Sequence, residues 1–231
     1  AIIMDGNNRW AKQRGLSGIA GHRAGAERIR DLLPSARNLG VQTVSLFAFS
    51  SENWLRPPME VRGLMSLFST YLKKEAKLLR DDGIKLRIIG SKDRFSDRLN
   101  RQIKDAERLT ASGELNLHLY VDYGGRWEIA QAAKKMAEKI EDGSLSSSDI
   151  SSSDIDSYFL DNGLSAPDLC IRTAGEQRMS NFMLWQMAYT ELYFTDCFWP
   201  DFDKNAFEHA IESYYSRQRR FGTRSSVQEN N

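Results

Sequence analysis

Short apolar runs alternate along the chain with longer stretches in which apolar residues recur every three to four positions. The short runs have the length of strands, and the longer stretches have the period of amphipathic helices. Strands are predicted at 1–4, 44–49, 86–89, 115–121, 169–172 and 192–194, and helices at 23–39, 60–81, 93–111, 127–141 and 204–220. The run from Val44 to Phe49 is almost continuously apolar, which indicates a parallel strand buried on both faces.

This alternation predicts one α/β domain with a central, mainly parallel sheet of about six strands flanked by helices. We expect the domain to occupy residues 1–222, the serine-rich segment 142–154 to be an exposed loop with a helix cap, and the polar tail 223–231 to be disordered. Ligands bind such sheets beyond the carboxyl ends of the strands. The segments that reach this edge are 5–10, 50–56, 123–126 and 172–180.

Charge and missing motifs exclude several classes of function. The 231 residues include 32 basic and 31 acidic side chains, and the net charge of +1 argues against a nucleic-acid coat held by bulk charge. No apolar run exceeds four residues, whereas a membrane-spanning helix needs about 20. The chain has no P-loop, no GxSxG elbow and no HExxH motif, so the nucleotide sites and hydrolytic centres that these motifs build are not expected.

The cysteines and two of the histidines are interpreted as structural. Cys170 and Cys197 have no CxxC spacing, which argues against a zinc site and a disulfide framework and suits a reducing compartment. His118 is expected in a strand and His209 on a helix. No signal peptide is predicted, and because the sequence starts at Ala1 we expect that the native N-terminus has been lost.

Candidate chemistry begins where the first strand ends, at Asp5-Gly6-Asn7-Asn8-Arg9-Trp10. Hard cations prefer carboxylate oxygens, and Mg²⁺ usually takes one or two of them together with substrate phosphates. Arg9 lies at the start of a predicted helix, where backbone N–H groups and a guanidinium can both face an anion. Alternatively, Asp5 caps the helix and Arg9 is a solvated surface charge. The pattern alone leaves both interpretations open.

Two further segments carry polar groups to the same edge. His22 opens a helix and could donate to a phosphate, although a histidine at such a position is more often a capping or core residue. The segment from Ser50 to Pro58 carries hydroxyls, an amide, an arginine and Trp54, and such a loop can close over a ligand and exclude water. It can equally be a surface loop with Trp54 docked into the core.

The segment 172–181 follows a strand and places Arg172, Arg178 and Ser180 around a glycine turn. Guanidinium groups bind phosphate oxygens in bidentate fashion, so this segment is a candidate diphosphate clamp. The alternative is an arginine–glutamate surface network. Glu191 lies among aromatic residues, where a carboxylate needs a partner such as a cation. Together these groups suit a ligand with a diphosphate and an apolar body.

Taken together, the motifs resemble the cis-prenyltransferases, and most closely the bacterial undecaprenyl diphosphate synthases. The resemblance rests on five blocks in the expected order and extends from residue 1 to about residue 222. The blocks are IIMDGNNRWA, GHRAG, AFSSENWLRP, IRTAGEQRMSNFMLWQMAYTELYFTD, and WPDF with the terminal RRFG.

The resemblance implies a homodimeric, Mg²⁺-dependent enzyme that condenses isopentenyl diphosphate successively, in cis, onto farnesyl diphosphate. The implied product is undecaprenyl diphosphate, the precursor of the cell-wall lipid carrier. A cytoplasmic protein is implied, without a nucleic-acid partner, in peripheral contact with the cytoplasmic membrane face for product release. Three alternatives stay open: a shorter-chain synthase, a non-catalytic subunit of a heteromeric cis-prenyltransferase, and a phosphate- or nucleic-acid-binding module without chemistry.

By the same resemblance, Asp5 is the acidic residue linked to Mg²⁺ and Asn53 is the proton acceptor. Glu191 would complete the metal site, from the same or the neighbouring subunit. The implied substrate-binding residues are Gly6, Asn7, Asn8, Arg9, Trp10 and His22 for the allylic diphosphate, Ser50, Ser51, Glu52, Trp54 and Arg56 on the mobile loop, and Arg172, Arg178, Met179 and Ser180 for isopentenyl diphosphate.

The growing chain needs an apolar tunnel, which we expect to be lined by the long helix and by two strands. The expected lining residues are Ala48, Leu64, Leu67, Phe68, Tyr71 and Leu115. Ordinary core packing is the alternative, because a tunnel differs from a core only by a void.

Three positions depart from the family pattern. Asn8 stands where a second glycine is common, and Gly18 stands where an arginine is common, which removes one expected phosphate contact. Arg14 is a candidate replacement for that contact. Ala174 stands where a glycine is common, which matters if the residue needs a positive φ angle.

Overall fold

A six-stranded sheet organises the computed structural model, which describes residues 1–160 and 165–217. Its strands are β1 (Ile2–Ile3), β2 (Thr43–Ser50), β3 (Ile84–Ile89), β4 (Leu115–Tyr123), β5 (Leu169–Arg172) and β6 (Glu191–Phe194). They lie in the order β3-β4-β2-β1-β5-β6, and each pairing between them is parallel. The prediction of a mainly parallel sheet in an α/β fold is confirmed.

Helices follow most of the strands and lie near their predicted positions. They are α1 (Asn7–Gln13), α2 (Gly18–Asn38), α3 (Pro58–Asp81), α4 (Asp97–Leu109), α5 (Gly125–Glu141), α6 (Ser152–Asp156) and α7 (Lys204–Tyr215). Capping side chains explain two shifted boundaries. Ser17 accepts from the N–H of Ala20 (3.3 Å) and starts α2 before residue 23, and Ser96 accepts from the N–H of Leu99 (3.3 Å) and starts α4 after residue 93.

Two predicted segments near the C-terminus are described only in part. The predicted last helix, 204–220, is described as far as residue 217, and the polar tail 223–231 lies outside the described residues. The serine-rich segment 142–154 is mostly exposed and contains a short 3₁₀ turn and the start of α6, as predicted. Among the described helices, none combines the length and apolarity needed to cross a membrane.

Both faces of the sheet are buried, as the apolar run in β2 predicts. Leu46 contributes to a large apolar cluster with residues of α2, α3, α4 and α7, whereas the next residue, Phe47, contributes to a second cluster on the opposite face. The second cluster is aromatic: Phe47 stacks on Phe182 with ring centroids 4.5 Å apart, and Tyr120 meets Phe182 edge-on. These clusters hold the strand ends, and therefore the residues beyond them, in fixed positions.

Two local irregularities lie beside the cavity described below. In β2, Phe47 pairs with Tyr120 and Phe49 pairs with Val121, so Ala48 forms a bulge without a partner in the ladder. In α2, Pro34 lies inside the helix and has no N–H with which to bond the carbonyl of Arg30.

Candidate active site

The carboxyl edge of the sheet brings the predicted segments together. Asp5 follows β1, the loop 50–56 follows β2, and Arg172 ends β5, and these three strands are neighbours. The N–H of Asp5 donates to Thr173 Oγ1 (2.9 Å), which ties the end of β1 to the end of β5. Residues that are far apart in the sequence therefore share one site, as expected for a parallel sheet.

Asp5 is an ionised carboxylate held by two arginines. Arg172 Nη2 donates to Asp5 Oδ2 (3.0 Å), Arg9 Nη2 lies 3.3 Å from Oδ1, and the N–H of Gly6 donates to Oδ1 (2.7 Å). Burial would raise the pKa of Asp5, but the hydrogen bonds from Arg172 and Gly6 and the two guanidinium charges lower it below its ordinary value. Asp5 therefore carries a negative charge at neutral pH, and it is paired with two positive charges.

Arg172 forms the centre of the predicted clamp. Its side chain is only 4% exposed, and besides Asp5 it donates to Ser180 Oγ (2.6 Å) and to the carbonyl of Arg178. Within the described residues, Arg172 Nε has no hydrogen-bond partner. The clamp segment is thus folded around one buried guanidinium that retains a donor for a ligand.

Arg9 and Arg178 share Glu176 at the rim of the site. Arg9 Nη1 lies 3.3 Å from Glu176 Oε1, and Arg178 Nη1 donates to Glu176 Oε2. The side chains of the two arginines are 44% and 61% exposed, so each pair is worth only about 0–1 kcal/mol. The surface network that the sequence left open is present, and an anion that binds the guanidinium groups can displace it.

The loop after β2 is a 3₁₀ turn, Ser51–Leu55. Asn53 Oδ1 accepts from the N–H of Ser50 (3.1 Å), which closes the turn. Trp54 Nε1 donates to Asp122 Oδ1 (2.8 Å), so the tryptophan is docked against the end of β4. Because Asn53 and Ser50 also line the cavity, the loop combines a docked aromatic with polar groups that border the cavity.

His22 and Asn7 bring unsatisfied polar atoms to the cavity. His22 Nε2 and Asn7 Oδ1 are buried, and neither has a hydrogen-bond partner among residues 1–160 and 165–217. Burial, followed by the charge of Arg56, lowers the pKa of His22 to about 4, against the opposing influence of Glu60. His22 is therefore neutral at pH 7, and a ligand is the natural partner for its free nitrogen.

A cavity of about 340 Å³ lies beneath this edge, between the sheet and helices α2 and α3. Its polar end is lined by Asp5, Asn7, His22, Ser50, Asn53, Arg56, Arg172 and Ser180. Its apolar part includes Ile29, Leu33, Ala48, Leu64, Leu67, Phe68, Tyr71, Leu117 and Leu119. The void that distinguishes a tunnel from a core is present, and five of the six predicted lining residues border it.

The prediction that Leu115 lines the cavity is wrong. Leu115 is buried and pairs with Ile84 in the packed core, whereas the next pair along the strands, Leu86 and Leu117, borders the cavity. Alternate residues of a strand share one face, so the two-residue period of the strand correctly identifies the face that borders the cavity. It does not show where along the strand the cavity ends. Leu115 therefore lies one position further along this strand face than Leu117, which borders the cavity.

Trp10 lies outside the cavity. Its Nε1 donates to Asp201 Oδ1 (2.7 Å), and Arg14 stacks over its ring (4.4 Å) while pairing with Asp201 (3.0 Å). These contacts tie α1 to the 3₁₀ turn at 199–201. Substrate contacts by Trp10 or Arg14 stay predictions.

Glu191 lies at the opposite edge of the sheet from Asp5. It pairs with Leu169 at the start of β5, whereas Asp5 lies beyond the end of that strand, so they are separated by more than about 10 Å along the strand direction. Glu191 Oε2 instead accepts from Arg217 Nη1 (2.9 Å). One chain does not bring these two carboxylates together, and a metal role for Glu191 therefore stays a prediction that requires a neighbouring subunit.

The remaining predicted residues do not line the cavity. They are Gly6, Asn8, Arg9, Ser51, Glu52, Trp54, Arg178 and Met179. Their substrate contacts also stay predictions.

Two of the three departures from the family pattern are sterically linked. A Cβ atom added at Gly18 would collide with Asn8 Oδ1, so the asparagine occupies the space in which a side chain at position 18 would begin. An arginine at position 18 is incompatible with Asn8 as it is placed. The third departure, Ala174, has a φ angle of 73°, which confirms that this position needs the left-handed conformation.

Two residues that hold the loop were not predicted from the sequence. Asp122, which binds Trp54, is 1% exposed at the end of an apolar strand, a position where a carboxylate needs partners. Asn181 Nδ2 donates to Glu52 Oε1 (2.7 Å). The φ angle of Asn181 is 61°, a conformation that asparagine tolerates better than most residues, but only the fold shows what its side chain contacts.

Comparison with known proteins identifies the family of the chain. The Prenyltransf family model, for undecaprenyl diphosphate synthase, matches residues 3–222. The ditrans,polycis-undecaprenyl-diphosphate synthase ((2E,6E)-farnesyl-diphosphate specific) of Pseudomonas putida is 49% identical over 97% of this chain and 90% of its own. The protein of the same description from Escherichia coli K12 is 48% identical over 96% of this chain and 88% of its own.

Solved structures show the same fold. Lavandulyl diphosphate synthase from Lavandula x intermedia, in complex with dimethylallyl diphosphate, matches with a TM-score of 0.92 and 38% identity over 96% of each chain. A probable undecaprenyl diphosphate synthase from Campylobacter jejuni matches with a TM-score of 0.80 and 30% identity over 96% of each chain. The chain belongs to the undecaprenyl diphosphate synthase family and is a cis-prenyltransferase.

Proposed function

We propose that this chain makes undecaprenyl diphosphate by Mg²⁺-dependent, successive cis-condensation of isopentenyl diphosphate onto farnesyl diphosphate. One observation carries the proposal: the charged edge around Asp5 and Arg172 lies directly above an apolar cavity. A diphosphate with a hydrocarbon chain needs both features in this arrangement. The relatives from P. putida and E. coli support the choice of farnesyl diphosphate, since their names specify it.

Two groups of donors would hold the two diphosphates. The allylic diphosphate would bind at the first turn of α1, where Arg9 and the free nitrogen of His22 are close to unpaired backbone N–H groups. Its hydrocarbon chain would extend into the cavity. Isopentenyl diphosphate would bind at the clamp built on Arg172, with Ser180 and Arg178 as further donors.

The chemical step follows from these positions. Negative charge develops on the leaving diphosphate as the allylic C–O bond breaks, and Arg9 and the first turn of α1 would stabilise it. The allylic carbon then bonds to the terminal alkene carbon of isopentenyl diphosphate, which loses a proton to form the new double bond. We assign Asn53 as the acceptor of that proton. The loop that carries Asn53 would exclude water from the cation.

The edge fits a magnesium ion. Asp5 is ionised and its side chain is 31% exposed, and Mg²⁺ is commonly held by one or two carboxylates with phosphate oxygens supplying other ligands. In the described part of the chain, no three His, Cys, Asp or Glu residues come together, so the ion would rest on Asp5 and on substrate oxygens. When bound, it would stabilise negative charge on the diphosphate.

A homodimer would supply what one chain lacks. β6 lies at one end of the strand order and is flanked by exposed apolar side chains, with Leu192 37% and Tyr189 78% exposed. Contact with a second copy would cover this edge, and only such a copy could bring a Glu191 carboxylate to Asp5. Because the product is a long lipid, we also assign the protein a cytoplasmic location with peripheral membrane contact. Light scattering in solution tests the dimer.

A shorter product is the second candidate. The cavity, at about 340 Å³, is near the lower end of the roughly 300–1,000 Å³ range of ligand pockets. That volume suits a starting allylic chain, whereas a product several times longer must extend beyond it. A purely non-catalytic subunit would have no need for Asp5, Arg9 and Arg172 to converge at one edge.

Mass spectrometry of the products tests the proposal. The purified chain is incubated with farnesyl diphosphate, isopentenyl diphosphate and Mg²⁺, and parallel reactions contain a chelator or dimethylallyl diphosphate as the starter. We expect undecaprenyl diphosphate only with farnesyl diphosphate and Mg²⁺. A product that stops after a few additions supports the shorter-chain candidate, and the absence of any product overturns both.

A further inference from the structure

We propose that Asn181 is a positioning residue that couples closure of the loop 50–56 to the Arg172 diphosphate clamp. The inference rests on the proposed function, since it assigns the clamp to the second diphosphate. It adds a link between the two parts of the site that neither the motifs nor the names of the relatives contain.

Three hydrogen bonds join Asn181 to two other segments of the chain. Its Nδ2 donates to Glu52 Oε1 on the loop (2.7 Å), its Oδ1 accepts from the N–H of Arg126 (2.9 Å), and its carbonyl accepts from the N–H of Gly125 (2.7 Å). The last two bonds attach Asn181 to the start of α5. The side-chain Nδ2 group of Asn181 remains as a donor, and it is directed at Glu52 on the loop.

On the clamp side, Asn181 follows Ser180 directly. Ser180 Oγ accepts from the buried guanidinium of Arg172 (2.6 Å), and both Ser180 and Asn181 have left-handed φ angles, 47° and 61°. Two consecutive residues in this conformation form a tight, defined turn. The orientation of the Asn181 side chain is therefore fixed by the same turn that delivers Ser180 to the clamp.

On the loop side, the acceptor is an ionised carboxylate. Burial would raise the pKa of Glu52, but hydrogen bonds from its own backbone, Asn181 and two serines lower it. Gly124 leaves room for this contact, because a Cβ atom there would lie 2.7 Å from both Asn181 Nδ2 and Ser51 Oγ. The bond between Asn181 and Glu52 is charge-assisted, a class that is roughly twice as strong as a neutral hydrogen bond.

This link gives the clamp an effect on the loop. A diphosphate that engages Arg172 and Ser180 stabilises the turn, and the turn presents the Asn181 donor to Glu52. The loop, which already contacts Asn181 in the structure, is then held more firmly over the site with Asn53 in place. The other docking contact, between Trp54 and Asp122, is on β4 and involves no clamp residue. Binding of isopentenyl diphosphate should therefore promote closure through Asn181.

An experiment that exchanges the amide and the carboxylate between positions 181 and 52 separates this role from a merely structural one. Asn181→Asp keeps the acceptor for Arg126 but places a carboxylate against Glu52. In Glu52→Gln, the new amide can donate to that carboxylate, so the pair is restored with donor and acceptor exchanged. Asn181→Gly, which tolerates the φ angle, replaces Asn181→Asp if the latter does not fold. Asn205→Asp on the exposed surface of α7 is the matched control.

We expect Asn181→Asp to raise the KM for isopentenyl diphosphate at least tenfold at pH 8 and the KM for farnesyl diphosphate less than twofold. In the Glu52→Gln background, the same substitution should raise the KM for isopentenyl diphosphate less than threefold. Equal effects in both backgrounds, or a parallel rise of both KM values, overturn the proposal.

Hydrogen exchange keeps the test independent of turnover. Isopentenyl diphosphate with Mg²⁺ should slow exchange in residues 50–56 of the unmodified chain and of Asn205→Asp, but not of Asn181→Asp. Equal protection in all three proteins overturns the coupling even if the chain proves inactive. Normal coupling in a chain that forms no prenyl product would instead overturn the proposed function and leave the link intact.

Discussion

The bulge at Ala48 allows the cavity to be tested by filling it. Ala48 is exposed although its neighbours on β2 are buried, and it borders the cavity, so its methyl group faces empty space. Ala48→Leu adds three carbons there, worth up to about 2.4 kcal/mol at about 0.8 kcal/mol for each buried carbon. Lost rotamer freedom of leucine costs about 0.5–1 kcal/mol. We expect a net stabilisation of about 1–2 kcal/mol.

The same substitution should damage function. The added carbons occupy space that the allylic hydrocarbon needs, so we expect the KM for farnesyl diphosphate to rise at least fivefold and the products to become shorter. For a chain of this size, the stabilisation corresponds to an increase in Tm of about 3–6 °C. Thermal unfolding followed by circular dichroism measures the first effect, and chromatography of radiolabelled products measures the second.

Ala106→Leu is the matched control for Ala48→Leu. Ala106 is 4% exposed in α4 and does not border the cavity. Three carbons added to a packed core force neighbours apart and typically cost about 1–3 kcal/mol. We expect this variant to be less stable with an unchanged product distribution. If Ala48→Leu is destabilised to the same extent, or leaves product lengths unchanged, the reasoning about an open void at Ala48 is refuted.

Three further predictions address charge, pH and cavity depth. Asp5→Asn should lower the rate of isopentenyl incorporation at least 100-fold. It should also lower the free energy of unfolding in urea by about 1–3 kcal/mol, because Arg172 loses a charged partner. Normal turnover would contradict the assignment of Asp5 to the active site. Burial lowers the pKa of both His22 and His118 to about 4 in the folded chain, so the unfolded chain takes up protons first and the free energy of unfolding in urea should fall as the pH drops from 6.5 to 4. His118→Gln should make this free energy depend less steeply on pH. An unchanged pH dependence in this variant would exclude His118 as its cause. Leu115→Ala should deepen the cavity, lengthen the products seen by mass spectrometry and lower the free energy of unfolding by about 2–5 kcal/mol. Products of unchanged length would show that Leu115 does not limit the depth of the cavity.

Hydrophobic periodicity was sufficient to predict the fold and the edge that carries the site. Buried parallel strands read as continuous apolar runs, and residues beyond their carboxyl ends meet at one edge, which is why Asp5 and Arg172 could be grouped from sequence. Side-chain caps shifted the helix boundaries, since Ser17 and Ser96 act through contacts that periodicity does not register.

Contacts between distant segments were beyond the reach of the pattern. Asn181 and Glu52 are separated by 129 positions, and nothing local to either residue indicates the other. The end of the cavity was misplaced at Leu115, because packing of whole side chains decides where a void closes. The position of a residue within its strand also decides which edge of the sheet it reaches. Glu191 is the first residue of β6 and therefore lies away from the carboxyl edge, although its motif follows the clamp segment in the sequence.

The proline within α2 gives the cavity a compliant wall. Pro34 leaves the carbonyl of Arg30 without its helical donor, and Arg30 and Leu33 both border the cavity. A helix bends most readily where one rung of its hydrogen-bond ladder is missing. We expect α2 to flex at this point as the hydrocarbon lengthens, so the enzyme can hold a lipid larger than its resting void without loss of secondary structure. Product length then reflects the stiffness of one helix as well as the depth of a pocket.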